Sequence, residues 1–153
     1  MNVEEKIKLM GLNLPAPPKP VAAYVPAVVT ADGYVYTAGQ IPFVNGELAY
    51  KGKVGRDLDE AQGYAAAQVC VLNCLGAVKA AIGSLDRVEQ IVKVVGFVAS
   101  APGFNAQPKV VNGASELLGK LFGPAGEHAR SAVGVAELPL DAACEIELIV
   151  KIK

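Results

Sequence analysis

The sequence predicts an α+β two-layer domain: a mixed sheet with two helices on one face. Three observations carry this. The segments run in the order β-β-α-β-α-β-β, which places two helices against one sheet. The chain has 153 residues, 52% hydrophobic and 19% charged, enough for a single well-filled core. One strand, at residues 87–100, is apolar on both faces, so both faces must be covered.

Residues 1–12 read as a weak amphipathic helix. Pro15, Pro17, Pro18 and Pro20 then exclude both a helix and a central strand. Residues 1–20 are therefore a lead-in, and residues 21–153 form the single domain. Residues 21–29 read as a strand, Ala31-Asp32-Gly33 as a turn, and residues 34–38 as the second strand of a hairpin. Pro42 ends that strand because it lacks a ladder donor. Asn45-Gly46 marks a further tight turn. Residues 51–56 read as a loop.

Asp57 and Glu60 have the spacing of a capping box, opening a helix to Ile82 that Gly83 stops. Its small residues, among them Ala65, Ala66, Ala67, Gly76, Ala77 and Ala80, predict a close approach to the sheet. In the strand at 87–100, alternation puts Val88, Val92, Val94 and Val98 on one face and Ile91, Val95 and Phe97 on the other. A second helix fits residues 105–122, with Pro108 in its first turn and Gly123 past its end. Residues 129–136 form a strand, Leu138-Pro139 interrupts, and residues 143–153 form the last strand. Cys144, Ile146, Leu148, Val150 and Ile152 share one face of it, and Glu145, Glu147 and Lys151 the other. The apolar row facing away from the helices predicts self-association.

Composition narrows the function. A net charge of −1, a pI near 5.8 and the lack of a Lys/Arg run disfavour a nucleic-acid surface built on bulk charge. The three Cys residues, Cys70, Cys74 and Cys144, form no CxxC pair, which argues against a disulfide framework and a thiolate zinc site. With one His, a His-based metal site within one chain is also disfavoured. There is no GxGxxG and no Walker loop, so no cofactor is expected. Glu4, Glu5, Lys6 and Lys8 do not suit a signal peptide. Gln68, Asn73 and Lys79 break the most apolar stretch, which reads as a buried helix and not a membrane span. The expected setting is soluble, cytoplasmic and reducing.

Two side chains stand out as chemistry. Val133 and Val135 have the parity of the helix-covered core, so Arg130, Ala132, Gly134 and Ala136 should face away from the helices. Small neighbours leave room for a ligand or another subunit, and an Arg there matches a carboxylate. A surface Arg or an intersubunit ion pair is the alternative. Glu145 opposes Cys144 and Ile146, so it should share that side with Arg130. With their strands as neighbours the two could share one pocket, Glu145 serving as an ion-pair partner or orienting water. Asn112 is a mediocre helix former whose usual explanation is solvent exposure. Tyr24 sits among apolar residues of the first strand, where its hydroxyl can reach a wet site. His128 reads as a surface loop residue, and Cys70 and Cys74, one helical turn apart, as core packing.

Two motifs resemble a known family. Tyr36-Thr37-Ala38-Gly39-Gln40-Ile41-Pro42 is similar to its SGQIP segment. Ala129-Arg130-Ser131-Ala132-Val133, then Leu138-Pro139 and Glu145-Ile146-Glu147, is similar to its ARS-x-V…LP…EIE signature. This is the YjgF/YER057c/UK114 or Rid family, often labelled endoribonuclease L-PSP; the proline-rich lead-in points to a longer subgroup. The resemblance implies a chorismate-mutase-like fold and a homotrimer with a central barrel and ligand clefts between subunits. It implies hydrolysis of enamine and imine intermediates to 2-keto acids and ammonia, which is expected here to proceed without metal or cofactor. It matches Arg130 to the family's carboxylate-binding Arg, Tyr24 to its cleft Tyr, Asn112 to its helix Asn and Glu145 to its strand Glu. In the mechanism expected from this, Glu145 acts on water, Gly39 allows close backbone approach and Ala132 contributes through its backbone. Ala38 stands where the family has Ser, and Ala132 where it has Cys. A non-catalytic trimer binding a small carboxylate is the alternative. RNA cleavage, which the label suggests, fits the acidic pI and single His poorly.

Overall fold

The computed structural model describes residues 1–17 and 23–153. The chain builds α1 (Val3–Leu9), β1 (Ala27–Val29), β2 (Tyr34–Thr37), β3 (Phe43–Val44), β4 (Glu47–Leu48), α2 (Glu60–Ile82), β5 (Val88–Ala99), α3 (Gln107–Phe122), β6 (Ala129–Val135) and β7 (Cys144–Ile152). Five strands form one sheet in the order β1-β2-β7-β5-β6, with β5 and β6 parallel and the other neighbours antiparallel. Helices α2 and α3 supply much of the buried core against one face, as expected of an α+β two-layer domain.

The N-terminal helix is capped by Asn2, whose side chain accepts from Glu5 N. Lys6 Nζ donates to the Leu121 carbonyl at 3.1 Å, which satisfies an open carbonyl in the last turn of α3. The lead-in then crosses α2 at Gly76, where a Cβ would fall on the Pro15 carbonyl oxygen. Gly63 of α2 lies under Val110 of α3 in the same way. These two glycines of α2 thus admit the lead-in and α3, not the sheet. Pro18, Pro20 and residues 21–22 of the expected first strand lie outside the described residues.

The first strand is shorter than alternation suggests. Pro26 cannot donate to a ladder, so β1 begins at Ala27 and Tyr24 precedes it. Asn45 and Gly46 carry φ of 52° and 81°, the two positive values a tight β3–β4 hairpin needs. The cap of α2 is Asp59, not Asp57. Its side chain accepts from Gln62 N, and Gln62 reaches back to Asp59 N. Asp57 instead closes the preceding loop, accepting from Lys53 N at 2.8 Å. Asp59→Ala should cost about 1 kcal/mol, a melting-point drop of about 2–4 °C. An unchanged thermal melt would show that the cap lies elsewhere.

The longest strand departs from simple alternation. Against β7, β5 has register shifts between Val88 and Gln90 and between Ile91 and Lys93. Each inserts one extra residue and reverses the face of the residues beyond it. Ile91 is therefore buried with Val88, Val94 and Val98, while Val92 turns out of the core. Strand β7 keeps strict alternation, with Cys144, Ile146, Leu148, Val150 and Ile152 all buried. Helix α2 is long and apolar enough to cross a membrane by length and composition. Its Cys70, Val71, Cys74, Leu75 and Val78 are fully buried in the core. The Cys70 and Cys74 thiols donate to the Cys144 and Ile146 carbonyls, and burial pushes both thiols up.

The sheet's other face stays open. It carries Val28, Tyr36 and Val133 at 52%, 47% and 43% exposure, with Val95, Phe97 and Ile149 half-buried between them.

Candidate functional site

Strand pairing places Arg130 beside Val94, Ala132 beside Gly96 and Gly134 beside Val98. Paired neighbours point to the same face. Val94 and Val98 are buried under the helices, and a Cβ on Gly96 would strike Val111 of α3. Arg130, Ala132 and Gly134 thus face α3, opposite to the expected side. The small residues of this row let α3 sit close, and Val133 takes the open face. Relative hydrophobicity misleads here because β6 is an edge strand whose helix-side neighbour is the polar face of α3.

That polar face explains Arg130. Pro108, Asn112 and Ser115 recur at helical spacing along one side of α3. Arg130 Nη1 donates to Asn112 Oδ1 at 2.8 Å and to Ser115 Oγ at 3.1 Å. Arg130 Nη2 donates to the Pro108 carbonyl at 3.3 Å. Asn112 is therefore a ligand of the guanidinium and not a solvated helix residue. Ser115 is a residue that sequence reasoning missed, although its spacing from Asn112 is a usable signal. His128 is half-buried and part of the cluster, not a free surface residue. Its Nε2 lies 2.9 Å from Ser115 Oγ and its Nδ1 2.6 Å from the Gly126 carbonyl. Among the described residues no carboxylate pairs with Arg130. The guanidinium is held by neutral acceptors and keeps an uncompensated charge.

Glu145 belongs to the other face. It pairs with Phe97, while Arg130 shares the face of Val94 and Leu148. One chain therefore does not bring Arg130 and Glu145 into one pocket. Gly39 lies directly beside Glu145: a Cβ there would come 2.6 Å from Glu145 Oε2. The next residue, Gln40, exchanges both backbone hydrogen bonds with Ile146, at 2.8 and 3.0 Å, which holds the segment in place. Burial, and then the nearby Glu147 charge, raise the Glu145 carboxyl above its ordinary value. Tyr24 is 59% exposed and joins neither cluster. Among the described residues, no three His, Cys, Asp or Glu side chains converge as a metal site would require.

The candidate residues thus fall into two groups, Asn112 of α3 with Arg130 and Ala132 facing it, and Gly39 with Glu145 on the open face. A family profile described as "YjgF/chorismate mutase-like, putative endoribonuclease" matches residues 4–152. Protein TCP17 of Trypanosoma cruzi is 39% identical over 151 residues, 98% of this chain and 94% of its own. The crystal structure of Atu1372, a protein of unknown function from Agrobacterium tumefaciens, is 43% identical with a TM-score of 0.93, covering 99% of this chain and 92% of that one. The crystal structure of E. coli TdcF with bound serine is 26% identical with a TM-score of 0.65, covering 92% and 96%.

Proposed function

Because the chain belongs to the YjgF/chorismate mutase-like family, we propose that it hydrolyses reactive 2-imino acids to 2-keto acids and ammonia, with Arg130 binding the substrate carboxylate. The observation that carries this is the uncompensated guanidinium, anchored by Asn112, Ser115 and the Pro108 carbonyl. A planar fork with neutral partners is suited to a carboxylate. The serine bound by TdcF, a relative of similar fold, is a small carboxylate of the same size class.

Arg130 and Glu145 lie on opposite faces of one sheet, so a cleft using both is built between subunits. Arg130, Asn112 and Ala132 come from one chain, and Gly39 and Glu145 from its neighbour. The exposed Tyr24 is free to wall the same cleft. The open sheet face, with Val28, Tyr36, Phe97 and Val133, supplies the apolar surface for a homotrimer. Light scattering that reports a monomer would remove this cleft.

In the reaction, water adds to C2 of the C=N bond and its proton passes to Glu145. The π pair goes to nitrogen, which takes up a proton. The carbinolamine's hydroxyl proton then passes to the amine, the O–H pair forms the keto C=O, and the C–N pair leaves with nitrogen as ammonia. The substrate is reactive enough that orientation and proton placement carry the step. The test generates 2-imino acids in situ with an amino-acid oxidase and traps them with semicarbazide. The protein should suppress trapping. Tight binding of a 2-keto acid without turnover would favour a carboxylate-binding trimer instead. RNA cleavage lost in Arg130→Ala would favour the activity in the family's description.

Glu145 also dictates a pH dependence. As a base it acts when ionised, so the acid limb of kcat/KM follows its carboxyl, which burial and the Glu147 charge push upward and a bound guanidinium from the neighbouring subunit would pull back down. Glu147→Gln removes a like charge, lowers the Glu145 value and shifts that limb toward lower pH. A pH profile unmoved by this substitution would take Glu145 out of the base role.

A further inference from the structure

The hydrogen bonds behind Arg130 run in one direction. The Gly126 carbonyl can only accept, so His128 Nδ1, 2.6 Å away, carries the ring proton. In the neutral ring Nε2 is then an acceptor, and it takes the hydroxyl proton of Ser115 across 2.9 Å. With its proton committed to His128, Ser115 Oγ offers only lone pairs to Arg130 Nη1 at 3.1 Å. Asn112 Oδ1 occupies the other Nη1 proton at 2.8 Å, and Pro108 O takes one from Nη2. Among the described residues, the donors left free are Nε–H and the second Nη2 proton. With the Pro108 carbonyl on the Nη2 proton that faces Nη1, where Asn112 and Ser115 already sit, these two donors form the Nε–Nη2 edge that matches the two oxygens of a carboxylate.

We infer that Ser115 and His128 are positioning residues: the chain Gly126 carbonyl–His128–Ser115 aims Arg130 so that its Nε–Nη2 edge is presented to the ligand carboxylate. This rests on the reading of Arg130 as the carboxylate anchor. Without His128, the Ser115 hydroxyl rotates freely and its proton can point at the guanidinium. Without Ser115, Nη1 keeps one acceptor and the fork can turn about its stem.

The test uses the full chain in its native assembly, with pyruvate as the binding probe and the oxidase-generated imino acid as substrate. Ser115→Ala and His128→Ala should each weaken pyruvate binding and raise KM about tenfold, the scale of one hydrogen bond to a charged group, with a smaller change in kcat. The double variant should lose no more than either single one, because both act through one link. Ser115→Thr, which keeps the hydroxyl, should restore binding. A readout independent of activity is the NMR signal of the Arg130 guanidinium: its slow, hydrogen-bonded rotation should be lost in both Ala variants. Unchanged guanidinium signals, or additive losses in a folded double variant, would overturn the inference. Wild-type protein that neither binds pyruvate nor turns over the imine would instead overturn the function reading, and the guanidinium signals would still decide the relay.

Discussion

Arg130→Ala is expected to lower kcat/KM for 2-imino acid hydrolysis by on the order of 10²- to 10⁴-fold. Two charge-assisted hydrogen bonds to a carboxylate are worth about 1.5–3 kcal/mol each, and each 1.4 kcal/mol is a factor of ten. The fold should survive. Arg130 is half-buried on an edge strand, and its partners on α3 can turn to water. Arg130→Lys should be nearly as damaging, because an ammonium is a point charge that cannot bridge two carboxylate oxygens while also holding Asn112 and Ser115. The semicarbazide competition assay measures both variants. Turnover of Arg130→Ala comparable to wild type would end the assignment of the anchor.

The second large effect falls on stability. Gly113 of α3 faces α2, and a Cβ there would land on the Tyr64 carbonyl oxygen with the Ala67 Cβ at 3.3 Å. Backbone cannot move aside as a side chain can, so Gly113→Ala must push the two helices apart. The cost should be about 3 kcal/mol, the upper end of overpacking, or a fall of about 6–12 °C in melting temperature. Gly119, further along the same helix, is the control. A Cβ there meets nothing within 4 Å, so Gly119→Ala should stabilise by about 0.5–1 kcal/mol. Opposite shifts in the two melts are the expected result. Equal shifts would show that helix propensity, and not the α2–α3 contact, governs position 113. Because Asn112 is its neighbour, a displaced α3 should also loosen the hold on Arg130.

Much of the fold is legible in the sequence because its signals are local. Gly83 and Gly123 end both long helices in the positive-φ conformation that favours glycine, and Asn45-Gly46 makes the hairpin turn. The alternation of β7 is intact because it lies between two partners and buries one face throughout. The errors lie where a neighbour overrides the local pattern. Asp57 has the spacing of a capping box, but the turn at Lys53 uses it first and the helix waits for Asp59. Two register shifts in β5 exchange Ile91 for Val92 in the core. On β6 the more apolar residues, Val133 and Val135, have the look of core, yet they line the open face.

The candidate site divides the same way. The amino-acid order is enough for the succession of elements, the α+β class and the family signature. It is also enough to single out Arg130, Asn112, Gly39 and Glu145. How these residues combine is a matter of tertiary structure, which joins Arg130 to Asn112, Ser115 and His128 and puts Glu145 beside Gly39 on the opposite face of the sheet. The physical reason is that a strand side chain takes its direction from pleat and register. These are set by partners far away in the chain, and one extra residue in a strand reverses them.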